Sequence, residues 1–129
     1  MTYLTVEQIL FLHARLVAET GGSHGVRELS LLLSAVGRSQ ASFNDRDLYP
    51  DPFIKAAALM DSLIRNHPFV DGNKRTGIAA AALFLRINGY WLDATNDELV
   101  KFTLEVAQSQ HPLDEIAAWL QAHARSNIE

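Results

Sequence analysis

Residues 67–77 read His67-Pro68-Phe69-Val70-Asp71-Gly72-Asn73-Lys74-Arg75-Thr76-Gly77 and separate two segments with helical periodicity. The earlier segment opens at Asp51-Pro52, where Asp can accept hydrogen bonds from free amides and Pro fits the first helical position. Pro68 predicts that this helix ends near Asn66, because the residue before a proline is pushed out of helical geometry.

A second helix is predicted from Asn73 to about Asn88, closed by Gly89. Its four consecutive alanines, 79–82, predict a central helix that its neighbours approach closely. The free amides of its first turn, Asn73 to Thr76, should point out of the helix end with its positive dipole, which suits a phosphate anion. Gly72 allows the backbone to approach such a ligand.

The charges around this helix start predict an anionic ligand. Lys74 and Arg75 would be unfavourable against the helix dipole if nothing anionic were bound. Asp71 offers a hard oxygen ligand for a magnesium ion shared with phosphate oxygens, or it could simply cap the helix. His67 can accept a proton from an attacking hydroxyl near neutral pH, which is a general-base role. The alternative is a solvated loop whose charged side chains are only hydrated and bind no ligand.

Phe69 lies between the polar residues of this stretch and is expected to insert into the core and pin the loop. Four more helices are predicted from capping patterns and apolar spacing, over residues 6–19, 27–36, 96–108 and 113 or 114–124. In the second of these, the residues expected to face inward are Leu29, Leu32, Leu33 and Val36.

No segment shows a convincing period-two alternation, so the chain is predicted to be a single all-α domain over residues 1–129. About six helices are expected, with a minor hairpin or none. Residues 37–50 mix Ser, Asn, Asp and Gly and indicate a loop or flap. Within them, residues 45–47 are equally well explained as part of a flap or as a plain exposed loop. Residues 90–92 could form a short extended piece.

Composition excludes several classes of function. The chain has 129 residues, 48% of them hydrophobic, which suits one domain with a single core. A net charge of −4 argues against broad nucleic-acid binding. The absence of cysteine removes disulfides and thiolate chemistry. No secretory signal or membrane span is visible, so we expect a cytoplasmic protein without a membrane partner.

The remaining histidines and tryptophans have plainer explanations. His13 lies on the apolar face of the first helix. A role as a hydrogen-bonded core residue is favoured over a role in the site. His24 and His123 are expected at the surface, and His111 at a helix boundary. The five histidines lack metal-ligand spacing. The two residues expected to anchor the core are Trp91 and Trp119.

The stretch 67–75 resembles the motif of the Fic/Doc superfamily, H-x-F-x-[D/E]-G-N-[G/K]-R, and is most similar to its Doc branch, the "death on curing" toxins. The likeness covers most of the chain. It extends to 25–28, 31–35, Gln40, 49–51, 55–57, 84–85 and 88–89.

The resemblance implies that ATP and Mg²⁺ are used and that the terminal phosphate of ATP is transferred to a protein hydroxyl. Fic transferases carry glycine at the position of Lys74 and arginine at that of Ile78, and they transfer the nucleotidyl part. A lysine at the first position marks Doc. Ala79 replaces a Doc asparagine and removes one polar contact. Nucleotidyl transfer and a catalytically inactive interaction module remain alternatives.

The resemblance also assigns roles by position. His67 resembles the general base and Asp71 the magnesium ligand, with Lys74 and Arg75 in the catalytic set. The implied nucleotide-binding residues are Arg65, Gly72, Asn73, Lys74, Arg75 and Thr76. The implied partners are elongation factor Tu as target and a separate Phd-like antitoxin, because the inhibitory helix of many Fic proteins has no counterpart in this sequence. The antitoxin's disordered tail would fold onto an apolar groove.

Overall fold

The computed structural model describes residues 1–127, which form six helices and two short antiparallel strand pairs. The single domain over residues 1–129 stays a prediction, and its last two positions, 128 and 129, lie outside the described residues. The helices are α1 (Val6–Thr20), α2 (Leu29–Arg38), α3 (Pro52–Asn66), α4 (Asn73–Ile87), α5 (Asn96–Ala107) and α6 (Leu113–Ala122). The strands are β1 (Ser42–Phe43), β2 (Arg46–Asp47), β3 (Tyr90–Leu92) and β4 (Ala124–Ser126). The predicted all-α class is therefore confirmed.

Side-chain caps start three of the helices where the sequence predicts them. Thr5 and Thr95 each form a reciprocal capping box, with Gln8 and Glu98 respectively. Asp51 accepts from the amides of Phe53 and Ile54 just ahead of α3. These caps satisfy amides that have no partner within their own helices, so local sequence alone sets these starts.

Helix α3 lies at the centre of the fold, in contact with α2, α4, α5 and α6. From Phe53 to Ile64, all its side chains except that of Ile54 are buried. Its neighbour α4 approaches closely at Gly77, where an added Cβ would lie 2.7 Å from Ile64 Cγ1. The two helices thus form a rigid pair, and the loop between them, residues 67–72, is short and firmly held at both ends.

The predicted start of α2 at Arg27 is wrong, because the preceding residues are extended. Arg27 and the next amide both donate to Pro68 O, and Val26 forms an isolated antiparallel bridge with Phe69. Pairing with the loop therefore holds these residues out of helical geometry until Leu29. Two predicted inward residues are also wrong: Leu29 is 53% exposed and Leu33 51% exposed. Leu32 and Val36 are buried as predicted, and Ala35 completes the buried face.

Residues 37–50 contain more regular structure than a plain loop. Helix α2 continues to Arg38, and β1 and β2 pair as a small hairpin with Asn44 and Asp45 in left-handed conformations. Lys55 of α3 is completely buried, and its ammonium contacts Ser39 O at 3.0 Å and Asp47 Oδ2 at 3.2 Å. Although burial opposes it, hydrogen bonding to Tyr3 and Asp47 raises the pKa of Lys55 above its usual value. The charged Lys55 therefore ties the hairpin to the core.

The predicted end of the last helix is also wrong. Helix α6 ends at Ala122 rather than about Ala124, because Ala124–Ser126 pairs with Tyr90–Leu92 as strand β4. Residues 90–92 are thus extended, as predicted. Trp91 is 41% exposed, so its assignment as a core anchor is wrong. Trp119 is partly buried and stacks on Phe102 and on His123.

The close approach of α3 and α4 leads to a stability prediction. Gly77→Ala should lower the free energy of unfolding by about 1–2 kcal/mol, because overpacking against Ile64 outweighs the better helix propensity of alanine. Gly37→Ala is the matched control, since Gly37 lies in α2 with open space around it, and should raise stability by about 0.5 kcal/mol. Urea unfolding followed by circular dichroism measures both. Equal effects of the two changes would contradict the tight α3–α4 contact.

Candidate active site

The loop that carries the charged stretch begins with an unusual backbone at His67. This residue follows the last turn of α3 and adopts a left-handed conformation, with φ of 50° and ψ of 56°. Arg27 stabilises it, because its guanidinium donates to Asn66 O at 2.8 Å and to His67 O at 2.7 Å. Two carbonyls at the end of α3 are thereby paired, and the His67 side chain is exposed.

Phe69 and Asn73 hold the middle of the loop. Phe69 is 1% exposed and packs in the main core, as the sequence predicts. The Asn73 side chain accepts from Phe69 N and donates to Phe69 O, each at 3.0 Å. The amide group of Asn73 is therefore committed to the loop, and what Asn73 offers to a ligand is its backbone N–H.

Helix α4 begins at this point with unpaired amides. Its N-cap, Gly72, has φ of 78° and supplies no side-chain cap. The first hydrogen bond of the helix runs from Thr76 N to Gly72 O at 2.9 Å. The amides of residues 73–75 precede that bond and are left without a partner in the helix, which is the arrangement that suits an anion. The prediction that the Thr76 amide is free is wrong, because its N–H already donates to Gly72 O.

The Asp71 carboxylate is fixed beside this helix end. Its oxygens accept from Ser23 N at 3.1 Å and from Gly72 N at 2.8 Å. These backbone hydrogen bonds, with the nearby charge of Arg75, hold the pKa of Asp71 below its usual value. The ionised carboxylate keeps lone pairs for a cation. No group of three or more possible metal-ligating side chains occurs within residues 1–127. A magnesium ion here fits only as one held by a single carboxylate together with phosphate oxygens.

The two cations of the helix start have different surroundings. Arg75 turns back to the end of α1, where it donates to Thr20 Oγ1 and to Gly21 O. Lys74 is exposed, and no carboxylate within the described chain pairs with it. Lys74 is therefore available to an anion at the end of α4.

One cavity of about 900 Å³ lies above this helix end. Its polar end is lined by His67, Asp71, Gly72, Asn73, Lys74 and Arg75. Its other end runs along α4 towards α5 and β3 and is mainly apolar, with Ile78, Ala79, Ala82, Trp91, Leu92, Leu99, Val100 and Leu104. Such a volume with convergent polar groups at one end is typical of a small-molecule site.

Two predicted nucleotide-binding residues do not line this cavity. Arg65 instead binds Asp61 at 2.5 Å and Ser109 at 2.9 Å. The side chain of Thr76 is fully buried, and its hydroxyl has no hydrogen-bond partner within residues 1–127. The structure thus brings together six of the predicted residues and leaves these two apart.

A family model described as the Fic/DOC family matches residues 3–85, which include the whole loop and the first turns of α4. The chain belongs to this family.

Two relatives place the chain in the Doc branch of the Fic/DOC family. It is 49% identical over 106 residues to the Toxin Doc of Mycolicibacterium smegmatis, covering 81% of this chain and 82% of that protein. It is 29% identical over 121 residues to the Protein kinase doc of Escherichia phage P1, covering 94% of both. The likeness therefore extends beyond the loop to nearly the full length.

Sequence reasoning missed the residues with which this Fic/DOC chain supports Asp71 from the α1 end. Ser23 donates to the carboxylate, and Gly22 leaves room for it, because an added Cβ would lie 2.6 Å from Asp71 Oδ2 and 3.2 Å from an Arg75 nitrogen. From sequence, the pair Gly21-Gly22 indicates only the end of the helix predicted over residues 6–19. Two adjacent glycines, one more than a helix end needs, were the available signal.

The crowding at Gly22 leads to a prediction about the site. Gly22→Ala should reduce any activity that depends on Asp71 by at least tenfold, because the new methyl group displaces the carboxylate. Gly21→Ala is the matched control, since both glycines have positive φ but nothing lies within 4 Å of the added Cβ at Gly21. Steady-state kinetics and thermal unfolding of both variants measure this. Equal losses of activity would attribute the effect to backbone strain and contradict the steric role.

Proposed function

We propose that this chain is a Doc-type toxin that transfers the terminal phosphate of ATP to a hydroxyl group of a protein, with Mg²⁺ as cofactor. The observation that carries the proposal is one cavity lined by the His67 imidazole, the Asp71 carboxylate and the unpaired amides of α4. These are a proton acceptor, a metal ligand and an anion-binding site, the three functions that a phosphate transfer needs.

In the proposed reaction, the target hydroxyl oxygen attacks the terminal phosphorus of ATP. The bond between that phosphorus and the bridging oxygen breaks, ADP leaves, and the hydroxyl proton passes to His67. Asp71 would hold Mg²⁺ against the phosphate oxygens, which offsets their negative charge. The amides of residues 73–75, with Gly72 beside them, would bind the phosphate that is transferred.

Lys74 and Arg75 would complete the phosphate site. Lys74 forms no ion pair with a carboxylate of the described chain and lies in the first turn of α4. Arg75 is held against the end of α1, close to Asp71. The resemblance to Doc counts Arg65 and Thr76 among the contacts as well. Their positions outside the cavity favour indirect roles, Arg65 in holding the turn after α5 and Thr76 in the packing of α4.

Phosphate transfer is favoured over nucleotidyl transfer by two side chains on α4. Lys74 occupies the position of a Fic glycine, and Ile78 that of a Fic arginine, so the wall next to the helix start is apolar where Fic enzymes carry a second cation. The phage P1 relative, which this chain matches over 94% of its length, is named a protein kinase. Nucleotidyl transfer is the second candidate, because the motif is common to both groups.

We further propose elongation factor Tu as the protein target and a Phd-like antitoxin as the inhibitor, so that the toxin acts in the cytoplasm and stalls translation. The hairpin of β1 and β2 is the part that would align the target segment, and Lys55 holds it in place. For the antitoxin tail, the apolar end of the cavity offers the partly exposed side chains of Trp91, Val100 and Leu104. No helix within the described chain is long and apolar enough to cross a membrane.

Labelled ATP tests the reaction directly. After incubation with elongation factor Tu and Mg²⁺, label from the terminal phosphate should appear on the target, and label from the innermost phosphate should not. A mass spectrum of the target should show a phosphoryl increment rather than an adenylyl one. Transfer of the innermost label would establish nucleotidyl transfer, and transfer of neither label would indicate an inactive interaction module or a different target.

The proposed roles of His67 and Asp71 are tested by substitution. His67→Ala and Asp71→Ala should each abolish transfer, because one removes the proton acceptor and the other the metal ligand. Asp71→Asn should do the same while keeping an oxygen to accept the Gly72 amide. His24→Ala is the control, since His24 is exposed and does not line the cavity. Helical circular dichroism should be intact in all four. Growth arrest by either active-site alanine variant would refute the assignment.

Lys74→Gly tests the preference for the terminal phosphate. The variant should transfer it at least tenfold more slowly, because an unpaired cation is lost from the phosphate site. Lys101→Gly makes the same change on the exposed surface of α5, outside the cavity, and should leave the rate unchanged. Unchanged kinetics in Lys74→Gly would remove the main reason to prefer phosphate over nucleotidyl transfer.

A further inference from the structure

His13 is a buried residue of α1 that contacts the active-site loop at Asp71 and Phe69. The buried side chains of α1 are those of Ile9, His13 and Val17, and His13 is the polar one, with 4% of its surface exposed. Its Nε2 lies 2.7 Å from Asp71 O. The ring stacks on Phe69, with centroids 3.8 Å apart and planes 5° from parallel.

The geometry defines which atom carries the hydrogen. A backbone carbonyl oxygen can only accept a hydrogen bond, so Nε2 of His13 must be protonated and donate to Asp71 O. Asp71 is thereby held at two places, by His13 at its carbonyl and by the amides of Ser23 and Gly72 at its carboxylate. The metal-binding carboxylate and the conformation of the next residue, Gly72, then depend on the same contact.

Packing alone does not require an imidazole at this position. A leucine or phenylalanine would fill the space between Ile9, Val17 and Phe69 without the cost of burying a polar ring. A buried imidazole is stabilising only where it makes its hydrogen bond. The partner of that bond is the backbone carbonyl of Asp71, the proposed metal ligand. The hydrogen bond to the loop therefore explains why position 13 carries an imidazole.

We propose that His13 is a positioning residue that holds Asp71 and the start of α4 in the geometry that binds magnesium and phosphate. This inference rests on the proposed function for its kinetic consequences. Residues that orient a metal ligand through such contacts typically change metal affinity or activity by 10- to 100-fold when they are lost. The role of His13 is thus indirect, and His67 is still the group that receives the proton.

The test compares two substitutions of His13 that differ in hydrogen bonding. His13→Phe keeps the stack on Phe69 but loses the donor, and it should raise the Mg²⁺ concentration for half-maximal transfer by about tenfold. His13→Gln keeps an amide donor and should recover part of that loss. His123→Phe is the matched control, because His123 also stacks on an aromatic ring and bonds to a backbone carbonyl, at Trp119, far from the loop. It should change thermal stability without changing the Mg²⁺ dependence.

A second measurement does not depend on catalysis. Hydrogen exchange of the Ser23 and Gly72 amides reports whether the Asp71 carboxylate is in place, since both donate to it. Their exchange should accelerate in His13→Phe, accelerate less in His13→Gln, and stay at the wild-type rate in His123→Phe. If the wild-type protein transfers no label, the proposed function fails while the exchange data still decide the role of His13.

Unchanged Ser23 and Gly72 exchange in His13→Phe, or an unchanged Mg²⁺ dependence, would overturn the inference. If His13→Phe does not fold, the comparison passes to His13→Gln and His13→Leu, which fill similar volume with and without a donor. Equal exchange of the two amides in that pair would overturn it as well.

Discussion

The arrangement of the site depends on the pair of hydrogen bonds between the Asn73 side chain and the backbone of Phe69. Both residues are buried, so neither the Phe69 peptide groups nor the Asn73 amide could find water if the pair were broken. Each buried group left without a partner costs about 1–3 kcal/mol. This constraint closes the loop into a compact turn, with His67 before it and Asp71 after Phe69.

The charges at the start of α4 run against the local preference of a helix. Two cations at a helix N-terminus oppose the dipole. For Arg75 the effect is offset, because its guanidinium reaches Gly21 O at the negative end of α1. Lys74 has no such compensation from a carboxylate within residues 1–127. A cation at a helix N-terminus without a compensating carboxylate is expected where an anion binds.

Support for the loop comes from three separate parts of the chain. Arg27 satisfies the end of α3, Ser23 fixes the Asp71 carboxylate, and His13 holds the Asp71 carbonyl. All three lie before α2, at least forty positions away from the loop in sequence. The segment from α1 to α2 therefore supports the loop, which carries His67 and Asp71, while α3 and α4 hold its two ends.

Much of this could be predicted from local patterns. The capping boxes at Thr5 and Thr95, the stop at Pro68 and the insertion of Phe69 depend on residues within a few positions of one another, and each was predicted correctly. The start of α2 was not, because Arg27 pairs with Pro68 O across the loop, a contact that local helix propensity cannot anticipate. Leu29, Leu33 and Trp91 were expected inside because they are apolar, but which apolar residues are covered depends on where neighbouring elements end.

The same division holds for the site. Local sequence determined that a glycine, an asparagine and two cations would meet a helix start beside a carboxylate and an imidazole, because all six lie within nine consecutive residues. Tertiary structure alone decided that Arg65 and Thr76 lie outside the cavity lining and that His13 and Gly22 support Asp71. The physical reason is that hydrogen bonds and steric limits between α1 and the loop join residues far apart in sequence, and those become visible only once the helices are packed.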